Sequence, residues 1–386
     1  MTAAATGAAD NRAARLLDER VIEPDQFVAD TEAFVDVRIE RSKGKASYSF
    51  VGPGVSQNSD QVINLTVPHG FQIGAATMPN GVVNNPHLHF TAEVFICTRG
   101  RFRMNIGEDS DQQLDIEPGT VLSVPTWVFR GFENTGPDDG WMFVVLGGDD
   151  TGGIIWAPEI LVEAAATGLY LDPDFAVLDA TAGDDISQAI EPLKPSQLTS
   201  VDHYTDEELA ECAVSADDLQ WSDGALLSSV LSGGGLALAP VIGFGMTEDR
   251  SHRPPITTPH GFSLEWLRLD PGAGTGRHRH DENQVVLIID GRCEVELWAD
   301  RESATAVPET GSVVSVPPGH WRDLRNVGDV PAMAVVVNNG DNPTRIEWAP
   351  DIVAAAAAAG WGRDASGYLA PLELIGGPEE DRGDQP

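Results

Sequence analysis

Residues 81–100 read Gly81-Val-Val-Asn-Asn-Pro-His87-Leu-His89-Phe-Thr-Ala-Glu93-Val-Phe-Ile-Cys-Thr-Arg-Gly100. The same pattern returns 191 residues later, from Gly272 through His278-Arg-His280-Asp-Glu-Asn-Gln284 to Gly291. A second block, Gly119…Pro125…Arg130…Asn134, returns 192 residues on as Gly311…Pro317…Arg322…Asn326. The register extends in both directions, since Pro68-His69-Gly70-Phe71 recurs as Pro259-His260-Gly261-Phe262 and Trp156-Ala157-Pro158 as Trp348-Ala349-Pro350. One site-bearing unit has been duplicated, and the differences between its copies are where function is to be sought.

A chain of 386 residues holds two domains of about 150–190 residues, each long enough for its own core. The repeat period is far beyond that of a solenoid. The expected division is 21–185 and 186–376, with 180–200 as linker and 1–20 and 376–386 as disordered tails. Residues 200–255 show no counterpart in the first half. Sixty acidic against 24 basic residues leave a formal charge of −36, which argues against nucleic acid or an anionic membrane as partner and for solubility. No apolar run reaches spanning length and the first twenty residues carry no apolar signal core, so a cytoplasmic location is expected. Three cysteines, Cys97, Cys212 and Cys293, make neither a disulfide framework nor a Cys-rich metal site; Cys97 and Cys293 sit in apolar runs as small buried hydrophobes.

Short runs rich in Val, Ile, Phe and Thr, broken by Gly, Pro and Asn, dominate both halves, among them 71–78, 121–132 and 141–146, with 284–289, 312–316 and 332–337 in the second. They predict an all-β fold of many short strands closing a sandwich or barrel, with few helices. One helix is signalled twice, with Pro158 and Pro350 in its first turn, Glu159 and Asp351 at its positive end, and Gly168 and Gly360 as stops. The Trp-Ala-Pro entry reads as a packing anchor.

Residues two apart in a strand face one way, which predicts a shared face for His87, His89, Thr91, Glu93 and Phe95. Two imidazoles and one carboxylate form a facial set that holds a divalent transition metal and leaves positions open. The second copy offers His278, His280 and Gln284, where a neutral amide replaces the carboxylate and Glu282 lies one pleat away. The pairing G-x5-H-x-H-x3-E-x6-G with G-x5-P resembles the two-part signature of the cupin superfamily, and two copies resemble a bicupin of the bacterial, quercetin-dioxygenase-like kind. The resemblance implies two tandem cupin (jelly-roll) barrels, each with both motifs on facing strands around one metal. It points to His87, His89 and Glu93, and His278, His280 and Gln284, as metal ligands, and to Fe(II) first, with Mn(II), Ni(II) or Zn(II) as other occupants. It also implies a homodimer or larger homo-oligomer.

One departure bears on function. The histidine that the family's second motif supplies falls at Arg130 and Arg322, and a guanidinium cannot ligate a cation. Three roles are open to each: binding the anionic group of a substrate, pairing with Glu93 in a metal-free barrel, or turning outward. His69, His260 and His320 are candidate substitutes for the missing ligand, and Trp127, Phe129, Trp141 and Trp321 candidate pocket walls. The expected function is a metal-dependent dioxygenase acting on a small organic anion, with Arg130 and Arg322 as the anion-binding catalytic residues. Two alternatives are a metal-free or structurally metallated binding module, and an isomerase or decarboxylase using the same site without O₂.

Overall fold

The computed structural model describes residues 11–201, 203–231 and 234–376. It contains two barrels, each of two facing sheets, as the strand pattern and the duplicated motifs predict. In the first, one sheet runs in the order Ala213–Val214, Val121–Val124, Glu93–Arg99, Gly140–Gly147, Phe71–Met78, Ala46–Val51, Ile63–Leu65. The facing sheet runs Ile154–Trp156, Val83–His89, Arg130–Asn134, Phe102–Ile106, Gln112–Ile116. Alternation decides the interior: along Phe102–Ile106, Phe102, Met104 and Ile106 are buried while Arg103 and Asn105 are not. With Phe95, Met142 and Phe132 they build the core between the sheets, each fully buried side chain of this size contributing about 1.5–3 kcal/mol.

The second barrel repeats the plan. Val21–Ile22, Val313–Val316, Gln284–Asp290, Ala332–Asn339, Phe262–Leu269 and Leu236–Ile242 face Glu302–Ala306, Cys293–Ala299, Arg322–Asn326, His278–Arg279 and Glu347–Trp348. The two matched helices are present, Pro158–Ala166 and Pro350–Ala358, each with proline in its first turn. Each is followed by a glycine at positive φ (Gly168 +89°, Gly360 +85°) where a side chain would be strained. Trp156 and Trp348 are buried anchors whose indole N–H groups donate to Gln57 Oε1 at 3.1 Å and Glu248 Oε1 at 2.9 Å. Cys97 and Cys293 are buried and free.

By contacts the chain divides into residues 27–218 and a second unit made of 1–26 with 219–386. Residues 186–218, placed after the expected boundary at 185, pack on the first unit, with Ile190, Leu198 and Val201 against its Phe129–Trp156 cluster. The start of the chain departs from the expected tail: within 1–20, residues 12–20 are a helix, capped by Asn11 Oδ1 on the Ala14 N–H at 3.0 Å and buried through Ala13 and Leu17. Residues 1–10 and 377–386 lie outside the described residues.

Within the segment 200–255, residues 206–214 do have a counterpart, contrary to the sequence reading. The helix Arg12–Arg20 and strand Val21–Ile22 match the helix Asp206–Glu211 and strand Ala213–Val214 at the same spacing of 192. Val21 pairs with Val314 and Ala213 with Leu122, equivalent positions of the two copies. Leu17 and Leu209 are the buried contacts of the two helices. The repeat therefore begins at the helix, and in each unit the short strand covers the edge of Val121–Val124 or Val313–Val316, which an open sheet would leave unpaired. Among the described residues no helix is long and apolar enough to cross a membrane.

Candidate metal centre

His87 and His89 lie two apart on the strand Val83–His89 and both point inward, as period two requires. Glu93 reaches the same point by a different route from the one predicted. The chain bends at Phe90–Ala92, and Glu93 begins a new strand in the opposite sheet. The carboxylate thus faces the imidazoles across the barrel instead of sharing their pleat. One ligand atom from each of His87, His89 and Glu93 lies within 4.8 Å of the others, and all three residues are buried. Glu93 Oε2 stands 3.3 Å from His89 Nε2. Ligands on one ion at ~2.1 Å sit roughly 3–4 Å apart, so the set is near metal-binding dimensions.

The tautomers fit as well. His87 Nδ1 is 2.7 Å from the Asn85 carbonyl, so it carries the proton and donates it, which leaves the Nε2 lone pair for a ligand. Both ring nitrogens of His89 and Oε2 of Glu93 are buried without a hydrogen-bond partner, a condition that native interiors rarely leave unmet. Burial lowers the proton affinity of both imidazoles, His87 to about 3, aided by the Arg130 charge. It raises the Glu93 carboxyl to about 7, against the pull of Arg130. Neutral imidazoles opposite a carboxylate that is expensive to keep unneutralised suit a divalent cation.

Arg130 is the cross-strand partner of His87. Gly131 beside it permits the close approach of the two strands, since a Cβ there would meet Asn84 O at 2.6 Å. The guanidinium is wholly buried, which disposes of the outward reading. Nη2 donates to the Pro125 and Val124 carbonyls, while Nε and Nη1 have no partner and Glu93 is not taken. Burial pulls its pKa down to about 10, and it stays charged at neutral pH. A buried cation with two unused donors calls for an anion. With a divalent ion present, the charges of Arg130 and Glu93 cancel and the site carries a net +2 that an acid would offset.

The second copy has the same backbone and a different interior. Arg322 Nη1 donates to His280 Nε2 at 2.8 Å, its Nε to His320 O at 3.1 Å and its Nη2 to Pro317 O at 3.3 Å. The His280 lone pair that would face a metal is thus occupied. Gln284 continues the chain through Nε2 to Asn338 Oδ1 at 2.9 Å, and Asn338 Nδ2 reaches Glu265 Oε1 at 3.4 Å. The buried acid has moved from the ligand position to the strand Phe262–Leu269, two strands away across Ala332–Asn339, where the first copy carries Gly74. Among the described residues only His87, His89 and Glu93 form a cluster of three candidate ligands.

Other expected contributors stand elsewhere. His69 and His260 direct Nδ1 to the carbonyls of Val67 and Thr258, each at 2.6 Å, and His320 directs Nδ1 to Pro318 O at 3.0 Å. Trp127 is 42% exposed, Phe129 is core, Trp141 packs among Phe27, Tyr48 and Phe143, and Trp321 lies under Arg277 and Arg279. The walls that do exist were not foreseen. A cavity of roughly 70 Å³ opens onto His87 and Glu93 and is lined by Phe34, Tyr48, Met78 and Phe132 among others. Lys45 also lines it, buried, with Nζ 2.5 Å from Asp36 Oδ1 and 2.7 Å from Asn84 Oδ1. No motif surrounds Lys45, and nothing in its sequence context marks it as buried.

A family model described as "Cupin domain" matches residues 75–146 and 265–338. Among curated proteins none matches. The solved structures that resemble the chain include the oxalate decarboxylase of Lactobacillus farciminis in its formate complex, at TM-score 0.55 and 12% identity over 87% of this chain and 90% of that one. The oxalate decarboxylase of Bacillus subtilis, a protein with Mn(II) centers, matches at TM-score 0.51 and 13% identity over 84% and 78%. The 7S globulin of Momordica charantia matches at TM-score 0.52 and 11% identity over 86% of each chain.

Proposed function

The chain is a bicupin of the cupin superfamily, and we propose that its first barrel is a single-metal enzyme site that decarboxylates a small organic acid. The observation that carries this reading is the convergence of three buried ligand groups on one point, His89 and Glu93 with unpartnered atoms, beside an arginine with two free donors. His87, His89 and Glu93 would hold the ion, which would supply Lewis acidity and a template for the substrate's oxygens. Mn(II), named for the Bacillus subtilis protein, is the first metal to test; nothing in the donor set singles out Fe(II), which the sequence put first.

The residues supply the rest. The unpartnered Nε and Nη1 donors of Arg130 support a role in holding the acid group and fixing its orientation. Met78, Phe132, Val144 and Leu146 line the space beside His87 and Glu93, and a carboxylate that such side chains shield from water loses CO₂ more readily because its charge is less well solvated. Decarboxylation is favoured over dioxygenation by the likeness to oxalate decarboxylases. In the second barrel the Arg322–His280 contact favours a structural role, so the ligand role of His278, His280 and Gln284 and the catalytic role of Arg322 are not carried forward. The homo-oligomer is part of the same family reading, and sedimentation velocity tests it.

The reaction class is settled by incubating the metal-loaded protein with a panel of α-keto and dicarboxylic acids under argon and under air, following CO₂ and O₂. Release of CO₂ without O₂ uptake is expected. CO₂ or product formation that requires stoichiometric O₂ would restore the dioxygenase reading.

A further inference from the structure

Small residues hollow the first barrel where its duplicate is filled. The strand Phe71–Met78 carries Gly74-Ala75-Ala76, and the equivalent strand Phe262–Leu269 carries Glu265-Trp266-Leu267. Gly74 and Ala76 line the first cavity, while Leu267 lines the second and Glu265 is tied to the Met246 N–H at 3.1 Å. The neighbouring strand adds to the difference, with Leu146 lining the first cavity at the position where the second copy has Asn338. The result is a cavity of roughly 70 Å³ in the first barrel against roughly 20 Å³ in the second. Gly74 cannot be enlarged without movement, since a Cβ would meet Tyr48 O at 2.7 Å.

We infer that the first barrel takes an acid with an apolar body larger than a two-carbon diacid, and that Ala76 with Gly74 sets this preference. The inference rests on the proposed function for the acid head and extends it to the rest of the substrate. Oxalate is polar over its whole surface and would leave Met78, Phe132, Val144 and Leu146 facing water. An acid bearing an aryl or branched alkyl group buries that surface and binds more tightly for it. Two cations stand near the head: Lys45, which lines the cavity and whose ammonium has three donors with two engaged by Asp36 and Asn84, and Arg130, the cross-strand partner of His87, with two unpartnered donors.

The test is calorimetric titration of the full-length, metal-loaded protein with phenylpyruvate and with oxalate, repeated on Ala76→Leu, which installs the residue the duplicate carries. Phenylpyruvate is expected to bind about tenfold or more tighter than oxalate, and Ala76→Leu to erase that preference without altering metal content. Ala76→Val, a smaller change, is expected to fall between, and keeps the test open should the leucine variant not fold. Oxalate binding as tightly as phenylpyruvate, or a preference untouched by either variant, overturns the inference. Metal content separates the two readings: phenylpyruvate preference without metal uptake leaves this inference standing and removes the metal enzyme, whereas metal uptake without the preference does the reverse.

Discussion

Arg322 Nη1 lies 2.8 Å from His280 Nε2, whereas the corresponding pair in the first barrel, Arg130 and His89, makes no such bond: His89 Nε2 faces Glu93 Oε2 at 3.3 Å and Arg130 turns to main-chain carbonyls. Duplicate barrels with nearly the same motif residues thus differ in whether the imidazole lone pair is available. Gln284 for Glu93 explains much of this. A carboxylate opposite two imidazoles creates a site for a cation, while a neutral amide leaves room for the guanidinium itself to be that cation.

The second site should therefore be recoverable. Gln284→Glu combined with Arg322→His removes the internal cation and supplies a carboxylate and a third imidazole. Elemental analysis is expected to rise from about one to about two metals per chain. No increase, in a folded double variant, would show that Glu265 and Asn338 or the smaller cavity also bar the ion.

Arg130→Lys tests the anion-binding role. Lysine keeps the charge but offers a point donor in place of a planar fork. Binding of phenylpyruvate to the metal-loaded protein is expected to weaken about tenfold, the effect of losing one charge-assisted bond, with the unfolding midpoint little changed. Unaltered affinity would return Arg130 to a purely structural part.

How much of this could be read beforehand depends on the kind of signal. The motif residues and the duplicated strands were legible because spacing survives duplication, and His87 and His89 follow period two. Glu93 was found for an incomplete reason, since the bend at Phe90–Ala92 that carries it to the other sheet leaves no clear mark in a run of ordinary residues. The helix at 12–20 and its partner at 206–211 share little beyond Leu17 and Leu209, and a single buried contact is too thin a pattern to align. Lys45 and Glu265 were invisible because burial of a charge is decided by distant partners, Asp36 and Asn84 for one, Met246 and Asn338 for the other.

The Lys45–Asp36 pair is wholly enclosed, and burial lowers the Lys45 pKa despite its partner. Lys45→Met leaves Asp36 as an uncompensated buried charge and is expected to destabilise the protein by about 3–5 kcal/mol. Adding Asp36→Asn should recover most of that loss, because Ser42 and Asn85 still bond to the amide site. Urea unfolding monitored by tryptophan fluorescence reads both; additivity of the two substitutions would contradict the coupling.

Glu265 gives a pH signature. Burial raises its carboxyl to about 8, against the Met246 N–H and Asn338. The folded state therefore holds the proton where the unfolded chain has released it. Its contribution is complete below about pH 4.5 and is lost as pH rises towards 8, at about 1.4 kcal/mol per pH unit within that window. Comparing urea midpoints at pH 5.5 and 8, wild type should lose stability that Glu265→Gln retains. Equal losses in the two proteins would mean that Glu265 is ionised in the fold.

The most direct test of a single metal centre in the first barrel is elemental analysis of protein purified without added metal, for wild type and for His87→Ala, Glu93→Gln, His278→Ala and His280→Ala. About one equivalent of a divalent transition metal is expected in wild type, lost in the first two variants and kept in the last two. Metal that survives His87→Ala and disappears with His278→Ala, or wild-type protein that takes up none when offered Mn(II), would contradict it.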